Sequence, residues 1–342
     1  MNYKLPLSLL ILGMVVYSCT PNFDAVLDPS TPKANTVVNP YEGVDFTQSL
    51  RLKTNLHSHT TVSHGKQTAS EMIVAYANHG FDVVAITDHD KAYIRPTEFL
   101  NVLGRDMLII QGSEITMTHH FNSLFTEYGK TDGVTVESAL RAEINKANSV
   151  LFLCHPGMHN WFYQMPWYWD IYQKFPKENL VGIEVINAKD EYPSDKIHWD
   201  RVLTGVAPHR NVYGFANDDA HSYSEIGFSY NEFFTEHFTI DEVRNAIVNG
   251  VSFFYNTSTV KNAQGALPYV NNITIDPELL TITVEAENFN RIDWICCGQV
   301  ISNKNSISIN AFAERNYNLG KYVRFVLTGK GGQLYSQPFL IK

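Results

Sequence analysis

From Leu52 to about Val251, short apolar runs alternate with segments whose apolar positions recur at helical spacing. Val83-Val84-Ala85-Ile86-Thr87 is rich in β-branched residues, which predicts a strand; Thr68 to His79 precedes it as a helix with Gly80 as its cap. Met107 to Gln111, Val150 to Cys154, Val181 to Ile186 and Val212 to Ala216 are further strand candidates, and helices are expected at about Thr135 to Asn148 and Ser194 to Gly205. A last helix is expected at Thr239 to Val251, capped by Thr239 or Asp241, apolar at Val243, Ile247 and Val248, and stopped at Gly250. This alternation predicts an α/β architecture with a parallel sheet, open or closed into a barrel. The pattern then changes. Asn256 to Leu267 is polar and turn-like, and alternating segments such as Leu280 to Glu287, Ile307 to Ala311 and Tyr322 to Thr328 predict a small antiparallel, β-sandwich-like domain over 259–342.

The chain before Leu50 follows neither pattern. Leu5 to Val16 is an apolar run behind a weakly basic start, too short to span a membrane and suited to a signal-peptide core. It ends in Val16-Tyr17-Ser18-Cys19, which resembles the lipobox of bacterial lipoproteins. That resemblance implies a signal peptide over 1–18, lipid on Cys19 and a place in the bacterial cell envelope, anchored at the outer membrane. Residues 19–49, rich in Pro, Asn, Asp and Thr, are expected as a tether and lead-in, which leaves 50–258 for the α/β domain.

Composition narrows the picture. With 44% hydrophobic and 13% aromatic residues, the 342-residue chain can bury a large core and is not disordered. Its 35 acidic against 26 basic residues give a formal charge of -9, which disfavours a nucleic-acid groove; no protein partner is predicted. Four cysteines in so long a chain make no disulfide scaffold, and the adjacent Cys296-Cys297 are expected as core or strand residues rather than metal ligands.

The thirteen histidines are unusual in their placement. His57-Ser58-His59 follows Leu52 to Leu56, and alternate residues of an extended segment point to one side, so both imidazoles can reach one ion. Alone, this pattern is weak. His64 lies shortly beyond it, Asp88-His89-Asp90 follows the strand ending at Thr87, and Glu114 follows Ile109 to Gln111. His155 follows Cys154, and Asp219-Ala220-His221 follows Val212 to Ala216. Histidines and carboxylates thus recur past the C-terminal ends of successive strands, where parallel α/β folds gather their sites. Six of the thirteen histidines are so placed and can share one cluster with one glutamate and one aspartate. Without metal, such groups would be desolvated or mutually repelling; divalent ions remove that penalty. So many ligands exceed what one ion with an open position takes, so two or three divalent ions of Zn, Mn or Fe are expected, a carboxylate bridging two.

Thr54-Asn55-Leu56-His57-Ser58-His59, Ile86-Thr87-Asp88-His89, His155-Pro156-Gly157 and Asn217-Asp218-Asp219-Ala220-His221 resemble the four signature blocks of the PHP (polymerase and histidinol phosphatase) superfamily. The resemblance covers roughly Leu52 to Tyr255 and is nearest to the secreted or lipid-anchored branch with carbaryl hydrolase-like proteins. It implies a distorted seven-stranded (β/α) barrel, a trinuclear metal site at its C-terminal face and metal-dependent hydrolysis, most often of phosphate esters. Carried onto this chain, His57, His59, Glu114 and Asp219 hold the first ion, with Glu114 bridging to a second held by His120 and His155. His64, His89 and His221 hold the third. His120 is favoured over His119 because Asn122 matches the usual continuation, and Asp219 is favoured over Asp218.

The nucleophile is then a metal-activated water. Asp88 is expected to fix a ligand imidazole or to cap a helix, and His159, Lys189 and Arg210 are candidates for phosphate contact or proton donation. The aromatic run Trp161 to Trp169, Trp161 and Trp167 in particular, is a candidate substrate wall or simple loop packing, and Asn187 is expected to face the site. The expected function is a phosphoesterase acting on a small or sugar-linked phosphate ester. The alternatives are hydrolysis of a carboxylic ester, amide or carbamate, and a noncatalytic surface lipoprotein binding glycan or peptide.

Overall fold

The computed structural model describes residues 36–91, 93, 95–127, 135–257, 265–310 and 321–342. The expected signal segment and Cys19 lie outside the described residues, within which no helix is long and apolar enough to cross a membrane. The first part of the chain comprises β1 (Val37–Val38), β2 (Leu50–Asn55), α1 (Ala69–Asn78), β3 (Val83–Ile86), β4 (Glu98–Val102), β5 (Arg105–Ile115), β6 (Phe121–Leu124), α2 (Val136–Ile144) and β7 (Val150–Leu153). It continues through α3 (Met165–Lys174), β8 (Leu180–Asn187), α4 (Asp195–Val206), β9 (Tyr213–Asn217), β10 (Ser229–Thr235), α5 (Ile240–Asn249) and β11 (Ser252–Asn256). Antiparallel strands follow: β12 (Tyr269–Asp276), β13 (Thr281–Glu287), β14 (Arg291–Cys296), β15 (Gln299–Ser302), β16 (Ser306–Ser308), β17 (Tyr322–Gly329), β18 (Gly332–Tyr335) and β19 (Phe339–Ile341).

Local chemistry sets several boundaries. Thr68 closes a reciprocal capping box with Glu71 at the start of α1, and Thr239 accepts from the Glu242 N–H at the start of α5. The inner strands are buried on both faces. Val83, Ala85, Leu108, Ile110, Val150 and Phe152 fill one cluster, whereas the intervening Leu151 and Leu153 pack outward with Leu140, Tyr168 and Ile171. Continuous apolar runs, rather than polar alternation, are what such strands require.

Backbone ladders run in the order β10-β2-β3-β5-β6-β7-β8-β9, and they do not close into a complete ring. Between β9 and β10 the link is a side chain: the Asn231 carboxamide accepts from the Ala216 N–H (3.0 Å) and donates to the Ala216 carbonyl (2.8 Å). Two residues earlier on β9, Gly214 is served in the same way by the Gln337 carboxamide, at 2.9 and 2.8 Å. The expected all-parallel arrangement also needs correction. β5 runs four residues past Gln111, pairing in parallel with β3 and then antiparallel with β6, so Glu114 sits within the strand rather than after it. Phe121-Asn122-Ser123-Leu124 is too short and too irregular in polarity to announce β6.

The C-terminal strands are antiparallel, but five of them, β14, β15 and β17 to β19, continue the large sheet through the β11–β18 pair. Only β12, β13 and β16 form a separate sheet. Part of the stretch expected as tether and lead-in is docked on this body. β1 pairs with β19, and the buried Tyr41 hydroxyl donates to the Ser252 carbonyl and accepts from the Gln337 N–H.

Candidate metal centre

Nearly every candidate ligand stands on a turn just beyond a strand. His57 and His59 follow β2, His89 follows β3, His155 follows β7, and Asp219 and His221 follow β9; Glu114 lies near the end of β5, and His120 immediately precedes β6. Asp219 and His155 hold positive φ angles of 46° and 25°, backbone that residues with a Cβ rarely adopt and that is stored at functional sites.

Glu114 is the centre of the arrangement. Its Oε2 lies 3.3 Å from both His57 Nε2 and His59 Nε2 and 2.9 Å from His89 Nδ1. Its Oε1 lies 2.9 Å from His120 Nδ1 and 3.1 Å from His155 Nε2. Asp219 Oδ1 faces the first group, 2.9 Å from His59 Nε2 and 3.3 Å from His57 Nε2. Each oxygen of one carboxylate thus addresses a different set of imidazoles. His59, His89 and His221 bring ligand atoms together in a further group, and the His64 ring stands 4.4 Å from that of His221 and 4.5 Å from that of His89.

Whether these residues suit metal ions is tested by their unmet valences. His57 Nε2, both nitrogens of His59, Glu114 Oε2, His155 Nδ1, Asp219 Oδ1 and His221 Nε2 are buried and make no well-formed hydrogen bond, although His57, His59, Glu114 and Asp219 face opposite charge at 2.9 to 3.3 Å. Buried polar atoms are nearly always satisfied, so a convergent set that is not has the character of a ligand cage. The imidazole and carboxylate donors fit divalent ions.

The charges agree. Burial alone would lower the pKa of His57 and His59, but the Asp219 and Glu114 carboxylates outweigh it, with Glu184 adding to the effect at His57, and raise His59 to about 9. Burial would raise Glu114 and Asp219, yet His57 above all holds both well below the usual carboxylate range. Metal-free, His57 and His59 are held as imidazolium between the Glu114 and Asp219 carboxylates.

The surrounding candidates separate. His119 is occupied at both ring nitrogens, by the Tyr168 hydroxyl and the His120 carbonyl (2.8 Å each), and is turned away from Glu114. Asp218 is likewise engaged, accepting from the N–H groups of Gly227, Phe228 and Ser229. Asp88 touches no imidazole and caps no helix; it accepts from Thr60 N (2.8 Å), Thr60 Oγ1 (2.6 Å) and Ser63 N (3.1 Å), pinning the turn that leads to His64. Gly65 closes this turn where an added Cβ would stand 2.7 Å from the His59 carbonyl oxygen, so no larger residue fits.

Arg210 lies elsewhere, its guanidinium spent on the carbonyls of Tyr172, Phe175 and Leu180. Lys189 is exposed and lies over the Phe228 ring. Asn187 is buried and donates to Asp219 Oδ2 and Glu184 Oε2, both at 3.1 Å, so it orients the Asp219 carboxylate. His159 is drawn into the site: its ligand atoms group with those of His120 and His155, and its Nε2 accepts from the His120 N–H at 3.3 Å. Burial and those two imidazoles push its pKa down to about 3, so it stays neutral. The aromatic run divides. Trp161 and Phe162 protrude, 91% and 74% exposed, whereas Trp167 stacks on His119 and donates to Glu137.

Glu184 escaped the sequence reading. Fully buried on β8, it holds His57 Nδ1 at 2.9 Å with Oε1, which also accepts from Asn217; Oε2 accepts from the His155 N–H at 3.0 Å. It therefore fixes the tautomer that turns His57 Nε2 toward Glu114 and Asp219. Its signal was one acid inside the apolar run Val181-Gly182-Ile183-Glu184-Val185-Ile186, where an unpaired charge has no place. Asp195, buried at the start of α4, presses Oδ1 against Gly157; a Cβ there would approach that oxygen to 2.5 Å, which explains the glycine after His155-Pro156.

The PHP domain model matches residues 55–241, more than half of the chain, and the chain belongs to the PHP family. Among solved structures it is similar to a two-domain protein from Bacteroides vulgatus containing a predicted PHP-like metal-dependent phosphoesterase. That pair shows 15% identity over 91% of this chain and 92% of that one, with a TM-score of 0.49. It is also similar to the lesion-specific endonuclease EndoQ from Pyrococcus furiosus, with 13% identity over 78% of this chain and 71% of that one and a TM-score of 0.40. An amidohydrolase from Chromobacterium violaceum shares 15% identity over 49% of this chain and 87% of its own, with a TM-score of 0.36. No curated protein matches the chain.

Proposed function

We propose that this PHP-family chain is a metal-dependent hydrolase of phosphate esters, acting on a small or sugar-linked substrate at a site built for up to three divalent ions. The observation that carries the reading is Glu114, whose two oxygens address separate imidazole groups amid buried atoms that make no well-formed hydrogen bond. His57, His59, Glu114 and Asp219 would hold the first ion, Glu114, His120 and His155 the second, and His64, His89 and His221 the third. Divalent ions so placed would supply Lewis acidity toward a phosphoryl oxygen and lower the pKa of a water.

The chain's own residues do the rest. Glu184 keeps the Nδ1 of His57 occupied, and Asn187 holds Asp219 in place. His159 supports the His120 backbone and, being neutral, adds no charge that would repel an ion. Trp161 and Phe162, exposed a few residues beyond His155, offer planar faces to the organic part of the substrate. At the N-terminus the same reading places lipid on Cys19 and the mature chain in the envelope, at the outer membrane; mass spectrometry of the native mature N-terminus tests it.

The activity is tested with the Mn- or Zn-loaded chain against activated phosphomonoesters, phosphodiesters, an aryl ester and an aryl carbamate. Phosphoester turnover abolished by chelation, and lowered at least about 100-fold in His57→Ala and Asp219→Ala, is the expected outcome. Turnover confined to the ester or carbamate contradicts it.

A further inference from the structure

We propose that Cys296 and Cys297 form a thiol–disulfide site, closing reversibly into a disulfide between adjacent residues. Successive side chains of a strand point to opposite faces, so neighbouring cysteines in regular β structure hold their sulfurs apart. Here the Cys296 thiol donates to the Cys297 sulfur at 3.5 Å. The convergence comes from the turn. β14 and β15 pair through Cys296 and Gln299, leaving Cys297-Gly298 as a two-residue hairpin loop with φ angles of 52° and 74°. Such a loop favours Asn-Gly or Asp-Gly, because its first position needs a left-handed backbone. Turn chemistry does not select a cysteine there, and Cys297 is half-buried at the edge of the core.

The turn is also held in place. The Cys297 N–H donates to the Tyr322 hydroxyl at 3.0 Å, which in turn donates to Asp200 Oδ1 at 2.8 Å on α4. Access differs between the cysteines: Cys297 is reachable from solvent, whereas Cys154 is fully buried and its thiol pKa is pushed well up by burial.

The co-reactant is a disulfide of the glutathione class. The Cys297 thiolate attacks one of its sulfurs, forming a mixed disulfide and releasing one thiol; the Cys296 thiolate then attacks the Cys297 sulfur, releasing the second. Two protein thiols are oxidised, one external disulfide is reduced to two thiols, and no atom is left over. The second step needs no approach through solvent, because the sulfurs are already neighbours. Adjacent Cα atoms lie about 3.8 Å apart, short of the usual disulfide range, so the closed form should reopen with a mild dithiol.

The test treats the folded full chain with oxidised glutathione, blocks remaining thiols by alkylation and maps the peptides by mass. The expected result is a Cys296-Cys297 peptide lacking two hydrogens and any alkyl group, restored to two alkylated thiols by dithiothreitol, while Cys296→Ala retains glutathione on Cys297. Wild-type chain that keeps a glutathione adduct, or that stays fully alkylated at both cysteines, overturns the proposal. So does a variant that takes no adduct.

Discussion

Glu184 shows how much of the site is set by a residue that would touch no ion. It occupies His57 Nδ1 and the His155 N–H at once, so a neutral replacement loosens two candidate ligands. Glu184→Gln is expected to lower metal affinity by about 10- to 100-fold with little change in fold, as measured by competition with a chromophoric chelator. Protonation gives a second expectation. His57, His59 and His155 have raised pKa values in the metal-free chain, opposed by burial but overcome by the carboxylates around them. Their contribution to metal-free stability is therefore present below the ordinary imidazole value and lost as pH rises, for His59 through about 9. Metal ligation needs neutral imidazoles, so loading at pH 7 should release on the order of two to three protons, with affinity falling as pH drops. Calorimetry in buffers of different ionisation enthalpy measures that number, and a value near zero would contradict the charge pattern. The residues that cluster around Glu114 were legible because His and Asp past strand ends have few structural roles. The roles of Asp88, Asn187 and Arg210 were not, because a polar side chain near a strand end reads alike whether it meets substrate, a turn or a carbonyl.

At the scale of elements, the seam between β9 and β10 is a weak point repaired by side chains. The Asn231 carboxamide stands in for a strand by serving both backbone groups of Ala216. Asn231→Ala leaves a buried N–H and C=O unpaired and should cost about 2 to 4 kcal/mol, read as a lower urea midpoint; an unchanged midpoint would mean that water takes over the role. Strand and helix positions were visible in the apolar pattern: β3, β7, β8 and α5 fall close to where periodicity and caps put them. β6 and the change of partner along β5 were not, since strand direction depends on which edge is free when the chain returns, and hydrophobicity carries no record of that.

Across the whole molecule, the C-terminal strands serve the α/β body directly. Gln337 satisfies Gly214 on β9, and a buried Asp200–Arg324 pair at 2.6 Å joins α4 to β17. Composition announced an antiparallel segment, but its attachment, through the β11–β18 ladder and the carboxamide and guanidinium contacts beside it, is displayed by no periodicity. All these contacts hold in register the strand ends on which the candidate ligands stand. The central claim, that the register assembles a multi-ion site around Glu114, is tested most directly by metal analysis of the chain purified without chelator and reconstituted with Zn, Mn or Fe. About two to three equivalents per chain are expected, with a larger loss in Glu114→Ala than in His64→Ala. Less than about one equivalent with every ion would contradict the account.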